Sequence, residues 1–249
     1  VDGLSDLAVT LQVSTQDDFE NVILEQAFDV KVENGNCLKV RVIDLEAYTH
    51  YYYRFVYEKD GVAYTSKTGR TKTAPLTDAD VDVKFAFVSC QDYLGRYYNT
   101  YLSVLEQDDL DFVLHLGDYI YETDGDSKFQ NTDGERQLSF RDSDGTLAIG
   151  SGDNAYKAAQ SVDNYRQLYE TYRSDPVLQE VHERFPLISI WDDHEFSDDS
   201  WQTNATYNDG AEGEAQLTRK KNAEQVYFEF MPLDHIAPHG GSENTEQLG

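Results

Sequence analysis

Apolar and polar residues alternate in short runs through the first 73 positions. Strands are predicted near Leu7–Val13, Val22–Phe28, Cys37–Ile43, Tyr51–Tyr57 and Val62–Thr71, each rich in β-branched and aromatic residues. Asn34-Gly35 and Asp60-Gly61 supply turn signals between them. In the fourth run Tyr51, Tyr53, Phe55 and Tyr57 fall on one face, and Tyr52, Arg54 and Val56 on the other. After Thr73-Ala74-Pro75-Leu76-Thr77-Asp78 the pattern changes to strands alternating with helices. Buried-type strands are predicted at Val83–Val88, Asp111–Leu116 and Leu187–Trp191, and helices at Thr100–Gln107, Tyr156–Arg173, Pro176–Arg184 and Ala215–Phe230. Asp175 reads as the N-cap of the third helix, with Pro176 in its first turn. Thr123 to Asn154 has almost no apolar periodicity and reads as a long functional loop.

Two domains are therefore expected: a β domain over 1–73 and an α/β layer over 74–249. The run Leu45, Thr49, Tyr51, Tyr53, Phe55 looks like the tyrosine-corner region of a fibronectin type III or immunoglobulin-like sandwich. Five strands fall short of the usual seven, so the sandwich is expected to be incomplete.

Composition narrows the function. Lys plus Arg number 20 against 47 Asp plus Glu, a net charge of −27. That balance argues against holding a nucleic-acid backbone, which needs a basic face. It suits a soluble chain that concentrates divalent cations. With 18 Tyr and 12 Phe the chain is too aromatic for a solvated acidic tail. No apolar run is long enough to span a membrane. Cys37 and Cys90 form no disulfide framework; Cys37 reads as an inward strand residue.

The chemistry gathers where the three later strands end. The first runs into Ser89-Cys90-Gln91-Asp92, the second into Gly117-Asp118-Tyr119-Ile120-Tyr121-Glu122, the third into Asp192-Asp193-His194-Glu195. Parallel neighbouring strands would bring these clusters to one sheet edge. Two-metal hydrolysis of a phosphate ester needs a bridging carboxylate, further anionic ligands and a water acidified enough to attack. Asp118 is the natural bridge, Tyr121 a phenolate ligand, Cys90 a thiolate ligand and Asp193 a holder of the second metal. His194 is better placed as general acid for the leaving oxygen. Asp198 and Asp199 are candidates for a further calcium, because the carboxylates from Asp192 to Asp199 repel one another unless cations sit among them. His115 reads as a core histidine, and His235 and His239 carry no assignment.

Gly-Asp-x-x-Tyr followed by Asp-His-Glu resembles the calcineurin-like metallophosphoesterases. Phe87-Val88-Ser89-Cys90-Gln91, His115 to Glu122 and Trp191 to Glu195, with Tyr165-Arg166 to Tyr169 and Asp175-Pro176 between them, look like the alkaline phosphatase D (PhoD-type) family. Gly69-Arg70-Thr71-Lys72-Thr73 matches the hinge that follows that family's N-terminal sandwich. The resemblance covers roughly residues 37 to 232. It implies a secreted or periplasmic phosphomonoesterase and phosphodiesterase with Fe3+ and Ca2+. Cys90 and Tyr121 would be iron ligands, Asp118 would bridge iron and calcium, and Asp193 stands where the wider superfamily has Asn.

The family's later Gly-Asp-x-His segment and its opening Ser-Gly-Asp-Pro segment do not occur in this chain. The 249 residues are accordingly expected to be a piece of a longer enzyme. Residues 74–249 are expected to expose a large apolar face that folds against the missing C-terminal segment, continuous in the precursor or a separate cleaved chain. The leading expectation is a metal-dependent phosphoric-ester hydrolase. The alternatives are a phospholipase D-like diesterase of the same family and a non-catalytic calcium-binding secreted fragment.

Overall fold

The computed structural model describes residues 5–208 and 215–233, and the backbone of a strand at 245–248. His235 and His239 lie outside the described residues. The N-terminal run forms β1 (Leu7–Ser14), β2 (Val22–Val30), β3 (Lys39–Val42), β4 (His50–Lys59), β5 (Val62–Thr65) and β6 (Gly69–Lys72). Antiparallel pairing gives the order β2-β1-β4-β5, with β6 also on β4. The single strand expected at Val62–Thr71 is thus two, both lying along β4. Between them Ser66 turns its hydroxyl to the Phe55 amide at 2.9 Å, which breaks the regular ladder.

Leu11, Val13, Phe28 and Tyr51 form the apolar centre of this sheet, and Leu38, Val40 and Val42 from the β3 segment pack against it. β3 pairs in parallel with β12 (Thr245–Leu248) rather than with the main sheet. The Tyr51 hydroxyl accepts from the Glu46 amide at 2.9 Å, the tie that a tyrosine corner requires. Cys37 precedes β3 instead of lying in it. Its half-buried thiol faces the Gly35 carbonyl, and burial pushes its pKa up to about 11.

The later part contains β7 (Phe85–Val88), α1 (Thr100–Leu105), β8 (Phe112–His115), β9 (Leu147–Ile149), β10 (Tyr156–Ala158), α2 (Val162–Tyr172), α3 (Pro176–Arg184), β11 (Leu187–Ser189) and α4 (Leu217–Phe230). Three strands pair in parallel in the order β11-β8-β7. The helix expected from Tyr156 starts six residues later, because Tyr156–Ala158 pairs with β9 and Ser161 caps α2. The Ser161 hydroxyl accepts from the Asn164 amide, and the Asn164 side chain accepts from the Ser161 amide. Asp175 caps α3 as expected, accepting from the amides of Val177 and Leu178.

The long loop is ordered by polar contacts rather than by apolar periodicity. Arg136 pairs with buried Asp175 at 2.5 Å and lies over the rings of Tyr93 and Tyr97. Asp142 accepts from the Gly145 amide at 2.9 Å.

Residues of all four helices join Val113 in one core, against which Ala86, Val88 and Leu187 pack. The opposite sheet face carries Phe85, Phe87, Leu116, Ile188 and Ile190, all exposed, with Phe87 at 70%. Alternation along each strand therefore buries one face and leaves an apolar face open, as expected for this region.

The two parts are tied by ion pairs. Lys72 bonds Asp111 at 2.5 Å with both side chains largely buried. Arg166 grips Glu229 within the later part through two bonds of 2.8 and 2.7 Å and reaches the N-terminal part by donating to the Glu33 carbonyl at 2.6 Å. Removing one partner of such a pair strands a buried charge, whereas an apolar pair of similar volume avoids the desolvation cost. Arg166→Ala is expected to cost about 3–5 kcal/mol in chemical denaturation. The Arg166→Met, Glu229→Met double variant should recover most of that loss, and equal losses in both variants would contradict the assignment.

Candidate metal centre

Parallel register sets the site. Val88 lies opposite His115, and His115 opposite Ser189, so the chain leaves all three strands at one edge. Main-chain bonds carry the first pairing further: the Cys90 amide donates to the Gly117 carbonyl at 3.2 Å and the Gln91 amide to the Asp118 carbonyl at 3.0 Å. Cys90 and Asp118 both adopt left-handed backbone, at φ 58° and 56°. Each such turn costs a residue other than glycine about 1–2 kcal/mol. Gly117, at φ 103°, has Asp192 against it; a Cβ there would stand 2.5 Å from the Asp192 nitrogen. Only glycine lets the loops after β8 and β11 close to this distance.

Four of the expected ligands meet. The Cys90 thiol stands beside the Asp118 carboxylate and the Tyr121 hydroxyl, and the Tyr121 hydroxyl donates to Asp118 Oδ2 at 3.3 Å. On the other side, ligand atoms of Asp118, Asp193 and His194 lie within 4.8 Å of one another. Asp118 is common to both groups. A second set, Asp193, Asp198 and Asp199, satisfies the same 4.8 Å limit. His115 lies in the core, 1% exposed, with its pKa pushed down to about 4 by burial. One of its ring nitrogens accepts from the Gly117 amide at 3.3 Å.

The acids of this centre resist ionisation without a cation. Burial raises the pKa of Asp118, and Asp193 and Asp192 add like-charge repulsion. Burial, then the Asp118 charge, raises Tyr121. The Cys90 thiol is raised chiefly by loss of solvent. Asp118 Oδ1 is buried with no hydrogen-bond partner among the described residues. A partnerless carboxylate oxygen beside a thiol, a phenol and a second carboxylate is the donor set that metal ions satisfy, and their charge reverses each of these shifts.

Two carboxylates that composition and spacing left without a role complete the surroundings. Glu122, fully buried, accepts from His194 Nδ1 at 2.7 Å, from the Asp198 amide at 2.8 Å and from the Tyr207 hydroxyl. Burial pulls the His194 pKa down, but the Glu122 bond and charge more than offset this and raise it to about 9. Glu195 takes main-chain amides from both loops. Both acids follow a ligand motif in sequence, yet all of Glu122's partners and two of Glu195's three lie over 70 positions away, beyond the reach of local pattern.

Thiol, phenol, carboxylates and an acid-paired histidine gathered at one strand edge are side-chain types that can hold metal ions. The chain is a member of the PhoD-like phosphatase family: the model of PhoD-like phosphatase matches residues 85–246, and that of its N-terminal domain residues 2–75. Alkaline phosphatase D of Bacillus subtilis (strain 168) is 32% identical over 228 residues, which cover 90% of this chain and 35% of that protein. The solved structure of PhoD is similar with a TM-score of 0.72 at 30% identity, covering 92% of this chain and 40% of that one. The chain thus spans well under half the length of these relatives.

Asp118→Ala removes the carboxylate common to both groups and leaves bound cations unshielded from each other. Metal analysis of protein purified without chelator should show loss of bound metal in this variant. Metal content equal to that of the wild type would contradict the shared-ligand assignment.

Proposed function

We propose that the chain is the metal-binding part of a phosphoric-ester hydrolase acting on phosphomonoesters and phosphodiesters. The single observation that carries this reading is the buried, partnerless Oδ1 of Asp118 between two ligand groups, in a chain of the PhoD-like phosphatase family. Cys90 and Tyr121 would hold Fe3+, the softer thiolate and the phenolate forming one side, with Asp118 between it and a Ca2+ held by Asp193. Asp198 and Asp199 would take a further Ca2+. Bound metal supplies positive charge for the phosphoryl oxygens and acidifies a water to serve as nucleophile.

The chain's own residues supply the rest. Glu122 fixes the His194 ring through Nδ1 and holds a proton on it, and Nε2 lies 3.5 Å from Asp198 Oδ1. The Glu122 bond favours the protonated ring, the form a general acid delivers from to the leaving alcohol. A cavity of about 240 Å3 beside Asp193, walled by Trp191, Phe196, Lys220 and Tyr227, gives the organic part of the ester room. It borders Asp193 and Glu195 rather than Cys90, and the reacting centre would lie at its rim.

The two-domain division near residue 74, with an incomplete β-sandwich followed by a metallophosphoesterase layer, belongs to this proposal. Its support is the separate matching of 2–75 and 85–246 and the two-layer packing of β3 on the N-terminal sheet. The open apolar face of the β11-β8-β7 sheet supports cover by further chain, continuous or cleaved, that contributes remaining ligands. A secreted or periplasmic location belongs to the proposal as well, and the net charge of −27 accords with it. No helix among the described residues is long and apolar enough to cross a membrane.

A second reading rests on His194 falling within the Asp118 and Asp193 group, which would make it a ligand. His194→Ala separates the two. As general acid, its loss should lower kcat by ~10²–10⁴ on esters of poorly leaving alcohols and far less on nitrophenyl esters, with metal content unchanged. Loss of metal, or an equal fall on both ester types, would contradict the acid role. Absence of hydrolysis of both a monoester and a diester by the metal-replete wild type together with its covering segment would overturn the proposed function.

A further inference from the structure

Glu195 is 4% exposed and sits one residue beyond His194. Its carboxylate is spent on main chain: Oε1 accepts from the Tyr119 amide at 2.6 Å, and Oε2 accepts from the Asp118 amide at 3.2 Å and the Asp192 amide at 2.7 Å. Two of these amides belong to the loop after β8 and one to the loop after β11.

The three bonds stand where the sheet's own pairing stops. Between β7 and β8 the main-chain ladder runs on past the strands, through Cys90 to Gly117 and Gln91 to Asp118. Between β8 and β11 its last rung is the Ile190 amide on the His115 carbonyl at 3.1 Å. Beyond that rung the Glu195 carboxylate does the joining. It meets the Asp118 amide directly and lies two residues from Asp193. A buried anion among like charges is a costly way to satisfy three amides, and burial pushes its pKa up to about 7. No neutral side chain of similar size offers acceptors in both directions, since an amide has one acceptor oxygen and a carboxylate two.

We propose that Glu195 is a positioning residue that sets the separation of Asp118 and Asp193, and through it the spacing of the two cations that share Asp118. This rests on the metal-centre reading above and adds the element that fixes its dimensions.

The test uses Mn2+ alone as probe on the full chain, titrated by calorimetry and followed by electron paramagnetic resonance, in which two neighbouring Mn2+ ions show spin coupling that depends on their separation. Glu195→Gln keeps the volume but turns an NH2 group toward amides that need an acceptor. Glu195→Asp keeps the charge but withdraws the reach. Circular dichroism and thermal melting establish that each variant is folded. Both variants are expected to bind Mn2+ about 10–100-fold more weakly and to show altered coupling. Wild-type affinity and coupling in Glu195→Gln would overturn the inference while leaving the metal centre standing. So would full recovery in Glu195→Asp, which would show that charge rather than position matters. Failure of the wild type itself to bind Mn2+ would overturn the metal-centre reading, and this inference with it.

Discussion

The parallel pairing of three short strands is the constraint on which the rest depends. Each strand spans only three or four residues, yet their shared direction and register deliver three loops to one edge. Antiparallel pairing of any one of them would send its ligands to the far end of the sheet. Connections through helices make the parallel order possible, and the helices in turn form the core that covers one sheet face. Core and site are two consequences of one topology.

Charge is the second constraint, and it works against the first. Bringing these carboxylates together in buried and partly buried positions raises the cost of ionisation at Asp118, Glu195 and the nearby Asp198. The structure offsets this locally: Glu122 by His194, a hydroxyl and an amide, and Glu195 by three amides. Asp118 has the His194 charge nearby and the phenol and thiol beside it, yet its Oδ1 accepts no hydrogen bond among the described residues, which leaves that oxygen for a cation. Left-handed backbone at Cys90 and Asp118 adds conformational cost at the same two positions. Conformational and electrostatic cost thus fall together on the part assigned to chemistry.

Much of this was legible in the sequence. Short apolar runs ending in Cys90, Asp118 and Asp193 locate the edge, and Asp175-Pro176 locates α3, because these signals are local. The family resemblance, carried by the same motifs, is upheld by the matches over 2–75 and 85–246. The start of α2 was misread because the Tyr156–Ala158 run is compatible with a helix until β9 pairs with it. The break at Ser66 was missed for a similar reason, since it depends on a hydroxyl reaching Phe55 across the sheet. Glu122 and Glu195 gave no sign of their roles because the partners that tie them to another loop are distant in sequence, and burial of an acid is not written in its neighbours.

The central claim is that the three strand ends form one metal centre with Tyr121 as a ligand. The visible absorption spectrum of the chain loaded with Fe3+ tests it most directly, since a tyrosinate bound to ferric ion gives a charge-transfer band in addition to any from the Cys90 thiolate. The wild type should show the band, and Tyr121→Phe should lose it while keeping its fold. A colourless ferric-loaded wild type, or a band that persists unchanged in Tyr121→Phe, would contradict the account.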